Sequence, residues 1–208
     1  MSQAATTASA LTALLEEARA RGFLGPGPVQ AHIDLALEGL SLVAPGMAAA
    51  DLGSGGGALG LPLAVFGPSV AWAFIEASAT RADFLRRAIG RLDLDQGTRV
   101  LARPAEDVGR LPEERGTFDL VVARSFGSPA TTAECAAPLL RVGGILAVTE
   151  PPDSEAAGPG FRWPSAGLDA LGLAVRARVG SFQTFEQVSS CPSSFPRRVG
   201  VPRRRPLF

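Results

Sequence analysis

The sequence predicts an α/β fold: a doubly wound, mostly parallel seven-stranded sheet with N-terminal capping helices and a C-terminal β-hairpin. Three observations carry that prediction. A glycine-dense stretch, Asp51-Leu-Gly-Ser-Gly-Gly-Gly-Ala-Leu-Gly60, lies between a short apolar run and a helix-like segment. That strand–turn–helix setting is where unpaired backbone N–H groups meet polar ligands. Four further apolar runs alternate with helical patterns, as parallel strands joined by crossover helices require. The last two strand patterns follow one another without an intervening helix, which marks a hairpin.

In chain order, residues 8–20 read as an amphipathic helix with Leu11, Leu14 and Leu15 on one face. The Gly/Pro stretch over 22–28 ends it. Residues 29–43 read as a second helix, with Ile33, Leu37 and Leu40 on its stripe, stopped by Pro45-Gly46. His32 near its start is expected either to hydrogen-bond locally or to line a substrate mouth. The glycine turn follows the strand over 47–50 and leads into a helix over 61–66. A second strand over 70–76 ends in Glu76, and a helix over 80–92 buries Phe84, Leu85, Ala88 and Leu92. Strands over 98–102 and 117–124 come next, then a helix over 129–140 with proline at its start. A glycine turn at Val142-Gly-Gly144 leads to a fifth strand over 145–149. Residues 151–160 read as a Pro/Gly-rich loop. Alternation over 173–179, and a run over 182–188, give the final hairpin around Gly180-Ser181. From residue 189 an extended tail is expected.

Composition narrows the possibilities. The 208 residues, 46% of them hydrophobic, suffice to bury about 70% of the unfolded chain's surface. No apolar run reaches the ~20 residues of a membrane span, and the first ten residues lack the basic start of a signal peptide. Two distant cysteines, Cys135 and Cys191, fit a reducing cytoplasm. With one histidine and no C-x-x-C, no protein-built metal site is expected. Every one of the 20 basic residues is arginine. Five of them, Arg197, Arg198, Arg203, Arg204 and Arg205, fall in the last twelve residues, which hold no acid. A basic segment on an acidic body is the asymmetry expected of a chain that meets phosphate.

Two ligand readings fit the glycine loop. Gly55, Gly57 and Gly60 spell the G-x-G-x-x-G of a dinucleotide site, whereas Asp51, Gly53, Gly55 and Gly57 spell D-x-G-x-G-x-G, the usual form of an S-adenosylmethionine loop. The second is favoured, because a dinucleotide dehydrogenase would more often continue with another helix–strand unit. Asp51, Gly53, Ser54, Gly55 and Gly57 are then the cofactor loop. Glu76, nineteen positions beyond Gly57, sits at the spacing of a ribose-binding acid. Ala105 and Glu106, in the turn after the third strand, are placed to border the adenine. Arg124, Ser125 and Phe126 emerge from the fourth strand at the edge where α/β sheets bind ligands.

Together these residues resemble the 16S ribosomal RNA guanine-N7 methyltransferases, the RsmG (formerly GidB) family. The likeness rests on five stretches: Asp51-Leu-Gly-Ser-Gly-Gly-Gly, Ile75-Glu-Ala-Ser with Arg81-Ala-Asp-Phe-Leu85, Arg103-Pro-Ala-Glu-Asp107, Phe118-Asp-Leu-Val-Val-Ala-Arg124-Ser and Pro138-Leu-Leu-Arg-Val-Gly-Gly144. His32-Ile-Asp and the Pro/Arg-rich ending from Phe195 to Leu207 are also similar. Thr149-Glu150-Pro151 stands where such proteins usually show Leu-Lys-Gly, which puts an acid near the ligand edge.

The resemblance implies a class I, Rossmann-like methyltransferase that uses S-adenosyl-L-methionine on small-subunit ribosomal RNA, or on the small ribosomal subunit. A small-molecule methyltransferase and an inactive cofactor-binding module that contacts RNA are the alternatives. The expected organisation is a helical cap (1–46), a methyltransferase body (47–190) and a basic tail (191–208). Guanine N7 loses no proton on methylation, so positioning rather than a general base is expected. Arg124 is the candidate catalytic residue, placed to orient a base or phosphate through its planar fork. It is also a candidate contact to the cofactor. Phe126 is a candidate stacking surface, and the tail arginines are candidate phosphate anchors.

Overall fold

The computed structural model describes residues 3–150 and 162–208; the loop expected over 151–160 lies outside them. Seven strands form one sheet in the order β3-β2-β1-β4-β5-β7-β6. They are β1 (Ala48–Leu52), β2 (Ala71–Ile75), β3 (Arg99–Leu101), β4 (Phe118–Ala123), β5 (Leu140–Thr149), β6 (Leu173–Val175) and β7 (Phe182–Gln187). The first five are parallel, and β7 runs antiparallel to both β5 and β6. The sequence expectation of a doubly wound sheet with a terminal hairpin is therefore met.

Period-two side-chain alternation sorts the strands onto two faces. Ala49, Trp72, Phe74, Leu120 and Val122 meet one layer, with Leu11, Leu14 and Leu15 of α1 (Gln3–Ala20), Ile33 of α2 (Val29–Leu37) and Leu61 and Leu63 of α3 (Gly60–Phe66). Phe84, Leu85 and Ala88 of α4 (Ala79–Arg91) join the same layer. Ala50, Leu52, Ala73, Ile75, Val121 and Ala123 meet the other, with Ala133 and Ala136 of α6 (Pro129–Ala136) and Leu168 of α7 (Ser165–Asp169). The short α5 (Ala105–Val108) forms where the sequence suggested only a turn.

Several expected elements shift: α1 starts at Gln3, α6 gives way to a 3₁₀ turn over Ala137–Leu139, and β6 stops at Val175. The second helix ends at Leu37, and residues Leu40–Leu42 tighten into a 3₁₀ turn. The fifth strand begins at Leu140 rather than Ile145, because Val142-Gly-Gly144 is absorbed as a bulge: the register slips between Phe118↔Leu140 and Leu120↔Ile145. Gly143 takes φ +82°, and a Cβ on Gly144 would lie 2.8 Å from the Phe118 carbonyl oxygen. Glycine there lets the strand continue past a kink that would otherwise end it.

The tail departs most from expectation. Instead of an extended arm it folds back across the α6 face. Val201–Arg204 forms α8, a single turn with Pro202 at a position whose N–H needs no helical partner. Arg110 donates twice to the Pro196 carbonyl, and Arg115 donates to the carbonyls of Cys191, Pro192 and Phe195. Phe195, Leu207 and Phe208 pack on the second core layer. Arg197, expected to face phosphate, pairs bidentately with Glu134 at 2.8 and 2.6 Å, and the Glu134 side chain is fully buried.

Candidate functional site

Strand order reverses between β1 and β4, so their C-terminal ends diverge and open a crevice. A cavity of about 1060 Å³ lies there, lined by residues that include Asp51, Gly53–Gly56, Glu76, Arg103–Glu106 and Arg124–Ser128. It is at the top of the ~300–1000 Å³ range for a single small ligand, so it has room for a cofactor and part of a second molecule.

The glycine loop builds the floor. Asp51 is buried at the end of β1, where its Oδ2 accepts the Gly60 N–H at 3.1 Å. A Cβ on Gly60 would lie 2.6 Å from that oxygen, so glycine is what lets α3 start against the strand. Burial, reinforced by the nearby Glu76 carboxylate, pushes the Asp51 carboxyl up to about 7. The Ser54 hydroxyl donates to the Asp51 carbonyl at 2.8 Å, fixing the turn. Gly53, at φ +73°, leaves room for the Phe126 ring, which a Cβ would meet at 2.5 Å. Phe126 is thus packed against the loop, brought there by Ser125, a non-glycine residue at φ +52°. Such strained backbone concentrates at functional sites.

Glu76 directly follows β2 and is only 4% exposed. Its Oε2 accepts the Gly55 N–H at 2.9 Å, and its Oε1 accepts the Ser78 N–H at 2.7 Å and the Arg81 guanidinium at 2.8 Å. A carboxylate has about four acceptor positions, so Oε1 is filled and one acceptor position remains on Oε2. Ala105 and Glu106 line the cavity from the first turn of α5, where backbone N–H groups have no partner within the helix. The Glu106 carboxylate itself is engaged elsewhere: Oε1 accepts the Gly200 N–H at 2.9 Å.

Arg124 leaves β4 half-buried. One guanidinium nitrogen bonds His32 Nδ1 at 2.7 Å, and Nη1 is buried without a hydrogen-bond partner. Since arginine only donates, His32 accepts at Nδ1 and carries its proton on Nε2, which faces the Gly25 carbonyl at 3.3 Å. Burial and the Arg124 charge both lower the His32 pKa, so the ring is held neutral. His32 is therefore more than a local helix residue, and it lines the cavity.

The structure gathers Asp51, Gly53, Ser54, Gly55, Glu76, Ala105, Glu106, Arg124, Ser125 and Phe126 around one cavity, while Gly57 is not among its lining residues and faces Leu61 and Leu85. Of the tail arginines only Arg203 lines it; Arg197, Arg198, Arg204 and Arg205 do not. The cavity also takes in Arg103 and the loop from Phe23 to Pro26, neither singled out as site residues in the sequence. Gly56 donates to the Phe23 carbonyl at 3.1 Å, which ties the N-terminal cap to the glycine loop. The His32–Arg124 pair joins residues 92 positions apart, a distance over which no local pattern could signal it. Glu150, expected to place an acid at the ligand edge, is tied down by Trp163 and Arg162 outside the cavity lining. Among the described residues no cluster of His, Cys, Asp and Glu suits a metal ion, and no helix is long and apolar enough to cross a membrane.

The family model for GidB, rRNA small subunit methyltransferase G, matches residues 29–154. A ribosomal RNA small subunit methyltransferase G from Pelotomaculum thermopropionicum is 35% identical over 164 residues, covering 76% of this chain and 68% of that protein. One from Deinococcus radiodurans is 35% identical over 165 residues, covering 76% of this chain and 65% of its own length. The matched part thus spans about two thirds of these relatives. Among solved structures, geranyl diphosphate C-methyltransferase from Streptomyces coelicolor superposes with a TM-score of 0.52 at 17% identity, covering 76% of this chain and 79% of that one. That likeness shows the fold alone. The cavity suits a nucleoside-bearing cofactor: it joins a Cβ-free loop, a buried acid with an open acceptor position and the first turn of α5. With the matched motifs sitting on this cavity, the chain belongs to the GidB family of rRNA small subunit methyltransferases G and is an S-adenosylmethionine-dependent methyltransferase.

Proposed function

We propose that this protein, acting in the cytoplasm, methylates N7 of a guanine in small-subunit ribosomal RNA. The observation that carries the reading is the Arg124–His32 pair beside the glycine loop. It supports the reading by setting a cation, held by a neutral histidine, in the same cavity as the glycine loop. Guanine N7 offers a free lone pair and releases no proton, so the reaction requires alignment rather than a general base. The residues suit that demand, because the acceptor nitrogen of His32 is already occupied by Arg124.

S-adenosylmethionine supplies the methyl group. Asp51, Gly53, Ser54, Gly55 and Gly57 would cradle its methionine part. Glu76 would take a ribose hydroxyl on its open acceptor position, and the backbone of Ala105 and Glu106 would border the adenine. Arg124 orients the base or a flanking phosphate with the edge not bonded to His32, and Phe126 offers a ring to the base. Holding two reactants in line contributes up to ~7–11 kcal/mol in ideal cases. The names of the relatives above support the ribosomal substrate.

The purified protein, incubated with labelled S-adenosylmethionine and small subunits from a strain lacking this gene, should transfer label to the RNA. Borohydride reduction and aniline cleavage at N7-methylguanine, followed by reverse transcription, should then place the methyl group at a single guanine. Label found only in a small-molecule extract would point to a small-molecule enzyme. RNA binding without transfer would reduce the protein to a cofactor-binding module.

A further inference from the structure

We propose that Arg103 and Arg203 form a phosphate clamp at the mouth of the cavity, and that Glu106 holds this clamp together through the tail rather than reading the cofactor's base. The inference rests on the RNA reading above and adds where the backbone of the target nucleotide is gripped.

Arg103 and Arg203 are a hundred residues apart in the chain, one following β3 and the other on α8, yet both line the same cavity. Both are exposed, and neither has an acidic partner among the described residues. Their situation differs from that of Arg197, which is committed to the buried Glu134. It differs too from that of Arg81, committed to Glu76. Two unneutralised guanidiniums on one rim attract a group carrying negative charge and several acceptor oxygens, which in RNA is the phosphodiester. The acids deeper in the cavity, Asp51 and Glu76, are buried, which favours a phosphate at the exposed arginines rather than beside those acids.

Arg203 reaches this rim only because the tail is docked. Besides the Arg110 and Arg115 bonds and the apolar packing described above, three contacts fix the part that bears it: Arg197 on Glu134, the Thr131 hydroxyl donating to the Pro202 carbonyl at 3.2 Å, and the Gly200 N–H donating to Glu106 at 2.9 Å. The third falls at Gly200, whose φ of +76° starts α8. Glu106 therefore ties α5, which begins two residues after Arg103, to the turn bearing Arg203. It is a positioning residue, acting on substrate through the tail.

The test measures methyl transfer to small subunits lacking the modification, cofactor affinity by calorimetry, and the salt dependence of binding to a fluorescent single-stranded RNA oligonucleotide. Arg103→Ala and Arg203→Ala should each raise KM for the particle several-fold, with cofactor Kd held within about twofold. Each should also lower the slope of log affinity against log salt by up to ~0.7, the value for one phosphate on single-stranded RNA. Glu106→Ala should reproduce the Arg203→Ala effect, and the two together should add little. Glu106→Gln keeps an acceptor for Gly200 and should restore KM. A weakened cofactor affinity in Glu106→Ala with an unchanged KM would overturn the proposal, as would unchanged salt slopes in both arginine variants. Should the wild type methylate no ribosomal particle, the functional reading fails on its own, and the clamp is judged by the oligonucleotide slopes.

Discussion

Two buried titratable residues give this site opposite responses to pH. The Asp51 carboxyl is raised from 3.8 to about 7 by burial, so between those values the folded chain holds a proton that the unfolded chain has lost. Stability from this residue is complete below about pH 4 and is lost as pH rises through about 7. Asp51→Asn retains an acceptor for the Gly60 N–H and should flatten the fall in urea-unfolding free energy across that window. His32 behaves in the contrary sense. Its lowered pKa means that the unfolded chain binds the extra proton, so its contribution is present above the ordinary value of 6.5 and is lost as pH falls. Protonation would also remove the acceptor that holds Arg124, leaving two cations face to face with only the Gly25 carbonyl to accept. The acid limb of a kcat/KM profile should therefore move or disappear in His32→Ala, and turnover at neutral pH should drop by roughly tenfold, about one charge-assisted hydrogen bond. Arg124→Lys keeps the charge and loses the fork. It should lower kcat while calorimetric cofactor affinity stays nearly intact; a parallel loss of affinity would put Arg124 in the cofactor site.

Among the elements, the docking of the tail has the largest energetic consequence. Arg197→Met strands the Glu134 carboxylate in the core and should destabilise the fold by about 3–5 kcal/mol. Pairing it with Glu134→Met should recover most of that loss, as denaturant titrations of the single and double variants would show. These contacts explain why the sequence reading erred at this end. Five arginines and three prolines in a short stretch describe solvated, extended chain by composition. Nothing local marks Glu134, Arg110 and Arg115 as the groups that capture it. The sheet was legible because its signals are local: apolar runs in β1, β2 and β4, alternation from residue 173 into the final hairpin, and a glycine loop between a strand and a helix. The bulge in β5 escaped because a glycine pair reads as a turn unless the register of the neighbouring strand is known. The loop, Glu76 and the β4 turn were readable as a site for the same reason, their order being fixed by strand ends. His32, Arg103 and the Phe23–Pro26 loop were not, since only tertiary packing brings them to the cavity.

At the scale of the whole molecule, the cavity proposed for the cofactor is where the N-terminal helices, the sheet and the tail meet. Cofactor binding should therefore stabilise the chain as a unit, by about 2.7 kcal/mol at one hundred times its Kd. Glu76→Ala should weaken that binding by ~1–3 kcal/mol, the penalty for leaving a ribose hydroxyl unpaired. Thermal shifts measured against cofactor concentration test both numbers. A Glu76→Ala protein whose melting temperature responds to cofactor as the wild type does would remove Glu76 from the ribose.

The ion pair between Glu134 and Arg197 also restricts how the sequence can change over time. Replacing either residue first leaves a charge in the core, so each single step crosses a barrier of several kcal/mol, whereas the apolar double replacement ends near the starting stability. Neighbouring sequences of equal fitness are thus separated by intermediates that fold poorly. A lineage carrying this pair is held at these two positions by the routes leading away from them, even where the pair itself adds little net stability.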